Sequence, residues 1–143
     1  SLVADTGILV SRINYVKVAE QRSFVILDAG MNDLMRPALY QAVHPIVTVN
    51  EAENGTAQEY DIVGPICEST DTFAQSYPLS GDLQAGDLVA FLYAGAYCSV
   101  MNSAYNSRTI IPEVMVSGSE AKVIRQSINQ QTLMAFEQDV QAL

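Results

Sequence analysis

Histidine occurs once in these 143 residues, and cysteine and lysine twice each. His44 cannot build a metal site alone, and Cys67 and Cys98 have no close spacing to it or to each other. The ligand pattern of a zinc centre is therefore not encoded, and no metal is expected. A chain of this size with 49% apolar residues needs no covalent staple, so both cysteines are expected as free thiols in a reducing cytoplasm. Only 16% of residues are charged, and 16 acidic against 7 basic side chains leave a net charge of −9. That field repels a phosphate backbone and an anionic membrane surface, so neither is an expected partner. A small anionic cofactor stays compatible, because one arginine or a set of backbone N–H groups opposes the global charge locally. No apolar run approaches the ~20 residues of a membrane span, and the chain does not open on a basic stretch followed by an apolar one. A soluble, cytoplasmic protein is expected. Internal repeats and low-complexity tracts are lacking as well.

The apolar fraction suits one packed domain, since a chain near this length buries roughly 68–70% of its unfolded surface. Leu2 to Val18 is rich in Val and Ile interspersed with polar residues and reads as a strand; Ser23 to Asp28 is a second, stopped at Gly30. Met31 to Val43, with Pro37 early and Leu34, Leu39 and Val43 at helical spacing, predicts a short helix or two turns. Ile46 to Asn50 and Glu59 to Val63 flank Asn54-Gly55, a tight-turn dipeptide, and predict an antiparallel hairpin. Ser76 to Asp87, with Pro78, Gly81 and Gly86, predicts a long surface connection before a strand over Leu88 to Tyr93. Another hairpin is expected over Glu113 to Arg125 with Gly118 in its turn. A final helix capped by Ser127 is expected to reach about Val140. Short strands, polar turns and one or two short helices make this a mainly β barrel or sandwich.

Few residues stand out chemically. Cys67 is followed directly by Glu68 in Val63-Gly-Pro-Ile-Cys-Glu-Ser69. A neutral thiol can deliver a proton, although a small buried cysteine at a strand end is the commoner case. Glu68 can pair with an ammonium group, although a lone glutamate is more often solvated. Arg36 and Tyr40 are four residues apart, so a helical segment puts a guanidinium and a phenol on one face, where two N–H donors and a hydroxyl suit a carboxylate. A surface charge beside a half-buried aromatic is the plainer alternative. Tyr97 follows Ala94-Gly-Ala96, small residues that let another group approach the backbone, but it could equally be a core tyrosine. His44, before Pro45, reads as a turn or interface residue, and Cys98 as core.

The stretch Val63 to Ser69, then Gly86-Asp-Leu88 and Ala94-Gly-Ala-Tyr97, resembles the C-terminal domain of diaminopimelate decarboxylases, from Ser1 to about Glu137. The Asn102 to Arg108 segment matches only in part, with Ala104 in place of the family's asparagine. The resemblance implies a Greek-key-like β domain of the kind found in alanine racemase and ornithine decarboxylase. It implies that residues 1–143 are the C-terminal β domain of a two-domain, pyridoxal-phosphate-dependent enzyme whose N-terminal barrel, with the cofactor's lysine, is absent here, so that this piece alone is inactive. By the same resemblance Cys67 donates a proton across a homodimer interface, Arg36, Tyr40 and Glu68 select meso-diaminopimelate, and Tyr97 lies beside cofactor and substrate. Glu68-Ser69 favours diaminopimelate over ornithine, whose decarboxylases typically carry aspartate after the cysteine and again three residues later; Asp71 stands in that later place. The alternatives are a stand-alone β module that binds a ligand or protein without catalysis, and a decarboxylase acting on another amino acid or on carboxynorspermidine.

Overall fold

A computed structural model describes residues 2–50 and 56–138 of the chain. They divide into two compact units, Ser1–Met101 and Asn102–Leu143, where length and composition suggest a single core.

The first unit is a six-stranded sheet built from β1 (Leu9–Lys17), β2 (Phe24–Leu27), β3 (Ile46–Thr48), β4 (Ala57–Val63), β5 (Thr72–Ser80) and β6 (Leu88–Phe91), in the spatial order β3-β6-β1-β2-β4-β5. Alternation sets which side faces in: Leu9, Ser11 and Ile13 of β1 are buried while Val10, Arg12 and Asn14 face out. Val25, Leu27, Tyr60, Ile62, Val89 and Phe91 complete the interior, and the Phe73 and Phe91 rings meet at 4.8 Å between centroids. The sheet's two edges are tied by one phenol. The Ile46 backbone N–H donates to the Tyr77 hydroxyl oxygen at 2.8 Å, and that hydroxyl donates back to the Ile46 carbonyl at 3.2 Å. Edge strand β3 thereby reaches edge strand β5, and the sheet rolls into a nearly closed barrel.

Strand direction positions the site. β1 runs antiparallel to both β2 and β6, and β2 runs parallel to β4. The carboxyl ends of β2, β4 and β6 therefore lie at one end of the barrel. α1 (Arg36–Tyr40) lies in the long β2–β3 connection, with Pro37 in its first turn and Gln41 closing it in the left-handed conformation at φ 55°.

Four expectations from sequence are corrected. The first strand begins at Leu9 and not at Leu2, because Ala4–Thr6 form a single 3-10 turn before it. β3 and β4 form no hairpin, since β3 pairs with β6 and β4 with β2 and β5; Asn54-Gly55 lies outside the described residues. Residues 76–80 belong to strand β5, because an edge strand tolerates Pro78 where a central one would lose a ladder bond. The last helix, α2 (Gln130–Gln138), is capped by Asn129, whose side-chain oxygen accepts the Thr132 N–H at 2.9 Å, and not by Ser127; Val140 lies outside the described residues. The expected hairpin is present as β7 (Glu113–Ser117) and β8 (Glu120–Arg125), with Gly118 in its turn at φ 60°. Among the described residues no helix is long and apolar enough to cross a membrane.

Replacing Tyr77 by Phe leaves both Ile46 backbone groups without their partner. The expected loss of unfolding free energy is about 1–3 kcal/mol in urea denaturation. A loss below ~0.5 kcal/mol would show that the phenol does not close the sheet.

Candidate active site

Every residue singled out in the first unit follows one of the three codirectional strands or precedes β3 at the same end. Arg36 and Tyr40 follow β2, Cys67 and Glu68 follow β4, Tyr97 follows β6, and His44 enters β3, which is antiparallel to β6. They share one rim of the barrel. Lys17, the last residue of β1, stands at the opposite end, and Lys122 lies on β8 in the second unit.

The loop carrying Cys67 and Glu68 is too polar to hold itself by burial, and Asp71 supplies its frame. The Asp71 carboxylate is 3% exposed and accepts the Ile66 N–H at 2.7 Å on one oxygen and the Met31 N–H at 2.6 Å on the other. It therefore fastens the β4–β5 loop to the turn leading into α1. The Gly64 N–H adds a bond to the Asp71 carbonyl at 2.9 Å, and a Cβ at Gly64 would overlap the Asp71 carboxylate, which excludes any other residue there. Ile66 packs on Gly30, and Cys67, one residue further on, is exposed. The Cys67 thiol is thus presented to solvent and not sealed in hydrocarbon. Glu68 accepts the Thr70 N–H at 3.3 Å and the Ser69 hydroxyl at 3.1 Å. The Thr70 bond first, then the Ser69 bond, holds its carboxyl below the usual glutamate range. Its stabilising effect is present above the ordinary pKa and lost as pH falls through the lowered one.

On the facing segment, Arg36 is half-buried and its Nη1 lies 3.4 Å from His44 Nε2, while Tyr40, one turn later, is 62% exposed. Beyond β6 the chain is strained: Tyr93 and Tyr97 both adopt left-handed φ, 59° and 58°, a region tyrosine rarely occupies, and both phenols face out. Gly95 lies between them, where a Cβ would overlap the Val3 carbonyl, and its N–H donates to the Ala4 carbonyl at 3.0 Å. Cys98 is buried, donates to the Ala96 carbonyl at 3.5 Å, and has its thiol pKa raised by that burial, against a smaller lowering from the Arg36 charge.

Among the described residues, neither Arg36 nor Glu68 forms an ion pair. A half-buried guanidinium and a carboxylate on one rim, each without a counter-ion, suit a ligand with both an acidic and a basic group. A cleft of about 290 Å³ between Thr48 and Asp87 lies at the other end of the barrel. Its acid groups are engaged locally, Asp87 by the Gln84 N–H at 2.8 Å and Asp82 by the Ser80 hydroxyl. None of the candidate residues lines this cleft, and all of those in the first unit lie at the rim. Sequence reasoning missed Asp71 and His44 as parts of this site. Neither has a pattern signal, since each also needs a partner dozens of residues away, Met31 for Asp71 and Leu92 for His44.

Residues 2–95 match the family described as pyridoxal-dependent decarboxylase, C-terminal sheet domain. The chain is similar to diaminopimelate decarboxylases of Zymomonas mobilis, 47% identical over 145 residues, and of Vibrio cholerae, 42% identical over 137. Those matches cover 100% and 96% of this chain and 33% and 32% of the relatives, so the chain spans about a third of their length. A crystal structure of diaminopimelate decarboxylase from Helicobacter pylori complexed with L-lysine is 39% identical with a TM-score of 0.88, over 96% of this chain and 33% of that one.

Substituting Asp71 by Ala strips two backbone N–H groups of their acceptor. Hydrogen exchange at Met31 and Ile66 is expected to accelerate at least about tenfold, with a stability loss of about 2–4 kcal/mol. Unchanged exchange at both amides would remove Asp71 from the role of loop anchor.

Proposed function

We propose, since the chain belongs to the pyridoxal-dependent decarboxylases through their C-terminal sheet domain, that it is the substrate-selecting part of a longer diaminopimelate decarboxylase. The reaction converts meso-2,6-diaminopimelate to L-lysine and carbon dioxide in lysine biosynthesis, in the cytoplasm. The observation that carries this reading is the single rim holding Cys67, Glu68, Arg36, Tyr40 and Tyr97, with neither its cation nor its carboxylate in an ion pair among the described residues.

Pyridoxal phosphate suits this rim as one wall of its site. The phenol of Tyr97 would touch it, and we assign its anchoring lysine to a barrel domain in the polypeptide outside this chain. When bound, the cofactor supplies the sink for the electron pair left as carbon dioxide departs. The side chains described here do the rest. Arg36 takes a substrate carboxylate with two parallel N–H donors, and Tyr40 adds its hydroxyl. Glu68 takes the ammonium group at the far end of the substrate. Cys67 Sγ gives its proton to the carbon that lost the carboxylate and is left as a thiolate until solvent restores the proton.

The rim is also apolar. Leu39 and Val43 of the β2–β3 connection and Tyr93 and Val100 after β6 are exposed, Val43 at 85%. Exposed apolar side chains at one end favour burial against another surface. We assign it to the missing domain and to a two-fold partner, so that each active site is shared between two subunits of a homodimer.

In the full-length protein, turnover of meso-diaminopimelate is expected to exceed that of ornithine and of carboxynorspermidine; preference for either of the latter overturns the substrate assignment. Cys67→Ala is expected to lower kcat by about 10²-fold or more with little change in KM, because a proton donor acts at the chemical step. A parallel change in both would make the cysteine structural. Glu68→Asp is expected to erode the preference for diaminopimelate, and unaltered selectivity would place Glu68 away from the substrate.

A further inference from the structure

The one histidine of the chain is not idle at the rim. His44 is 3% exposed, and its Nδ1 lies 2.9 Å from the Leu92 carbonyl oxygen. A carbonyl only accepts, so Nδ1 carries the proton. In the neutral ring Nε2 then has a free lone pair, and it faces Arg36 Nη1, which only donates, at 3.4 Å. Both contacts are satisfied together by one protonation state, the neutral ring with its proton on Nδ1. An imidazolium would set N–H against N–H and charge against like charge. The frame around the ring is fixed on both sides, since the Leu92 N–H donates to the carbonyl of Pro45, the residue after His44, at 2.8 Å.

We propose that His44 is the positioning residue of Arg36: its Leu92-locked tautomer presents an uncharged acceptor that holds one guanidinium N–H and aims the remaining donors at a substrate carboxylate. Arginine otherwise loses rotamer entropy when a ligand orders it. Prior orientation by His44 removes part of that cost before binding. An acidic partner would hold Arg36 more strongly but would occupy the charge the ligand needs. A neutral nitrogen orients it and leaves the charge available. The proposal rests on the reading of Arg36 as a carboxylate ligand.

Two substitutions separate the ring's two nitrogens. Asn places an amide near the Nδ1 position, keeping the Leu92 bond and losing the acceptor for Arg36; Gln reaches the Nε2 position and does the reverse. In the full-length protein loaded with pyridoxal phosphate, H44N is expected to raise KM for meso-diaminopimelate, and the dissociation constant of L-lysine by calorimetry, about three- to tenfold, with kcat changed less than about twofold. H44Q is expected to recover most of that loss. In an R36A background H44N is expected to add nothing, as coupled residues are non-additive. A benign H44N with a damaging H44Q overturns the proposal, because His44 would then serve Leu92 alone, and equal damage from both overturns it in favour of packing. If R36A itself leaves both binding readouts unchanged, the carboxylate-ligand reading fails first and takes this proposal with it.

Discussion

A buried carboxylate with two backbone N–H donors on it is the constraint from which the rim takes its shape. Asp71 joins two connections whose apolar contact is limited to Ile66 against Gly30, the Gly64 to Thr70 loop and the turn at Met31. Burying a charge is costly unless its lone pairs are met, and charge-assisted bonds from main-chain N–H groups are among the stronger ways to meet them. The arrangement is also intolerant, since Gly64 must lack a side chain for the carboxylate to fit. Its consequence is geometric: the thiol and carboxylate of Cys67 and Glu68 are fixed relative to the segment that leads, five residues after Met31, to Arg36.

Sheet topology does the gathering. An antiparallel meander would send successive connections to alternate ends, dividing the candidate residues between two rims. Here the parallel pairing of β2 with β4, and the shared antiparallel partner of β2 and β6, deliver three separate connections to one end. A parallel pair needs a long crossover, and the β2–β4 crossover supplies α1, β3 and His44 on its way. The same topology keeps Lys17 off the rim.

This explains what the sequence could and could not reveal. β1 declares itself by alternation, β2 and β6 as short apolar runs and the β7–β8 hairpin by its turn glycine, because local pattern governs them. The β3–β4 hairpin was expected from adjacency and a turn dipeptide, while the real partners of both strands lie further along the chain or earlier in it. Pro78 and Gly81 made β5 read as a connection, a misreading that only knowledge of its edge position corrects. Cys67, Glu68, Arg36, Tyr40 and Tyr97 were legible through a motif. Their supports were not, because Asp71 and His44 resemble any polar loop residue until Met31, Ile66, Arg36 and Leu92 are brought against them.

The rim also resolves an apparent conflict between a net charge of −9 and a ligand with acidic groups. Global charge acts through water and is screened within about 10 Å, whereas Arg36 acts at contact distance in a half-buried setting. A mobile arginine on an acidic surface would be captured by a neighbouring carboxylate, and its charge would be lost to the ligand. Holding it on a neutral imidazole avoids that capture. Glu68 is held by the same means, on a hydroxyl and a backbone N–H, with no cation engaged. Both charged groups are thus oriented by neutral partners, and the proposed substrate, with its ammonium and carboxylate groups, matches them. Strained Tyr93 and Tyr97, and exposed Val43 at the same end of the barrel, make this rim a poor free surface and a good wall for a closed cavity.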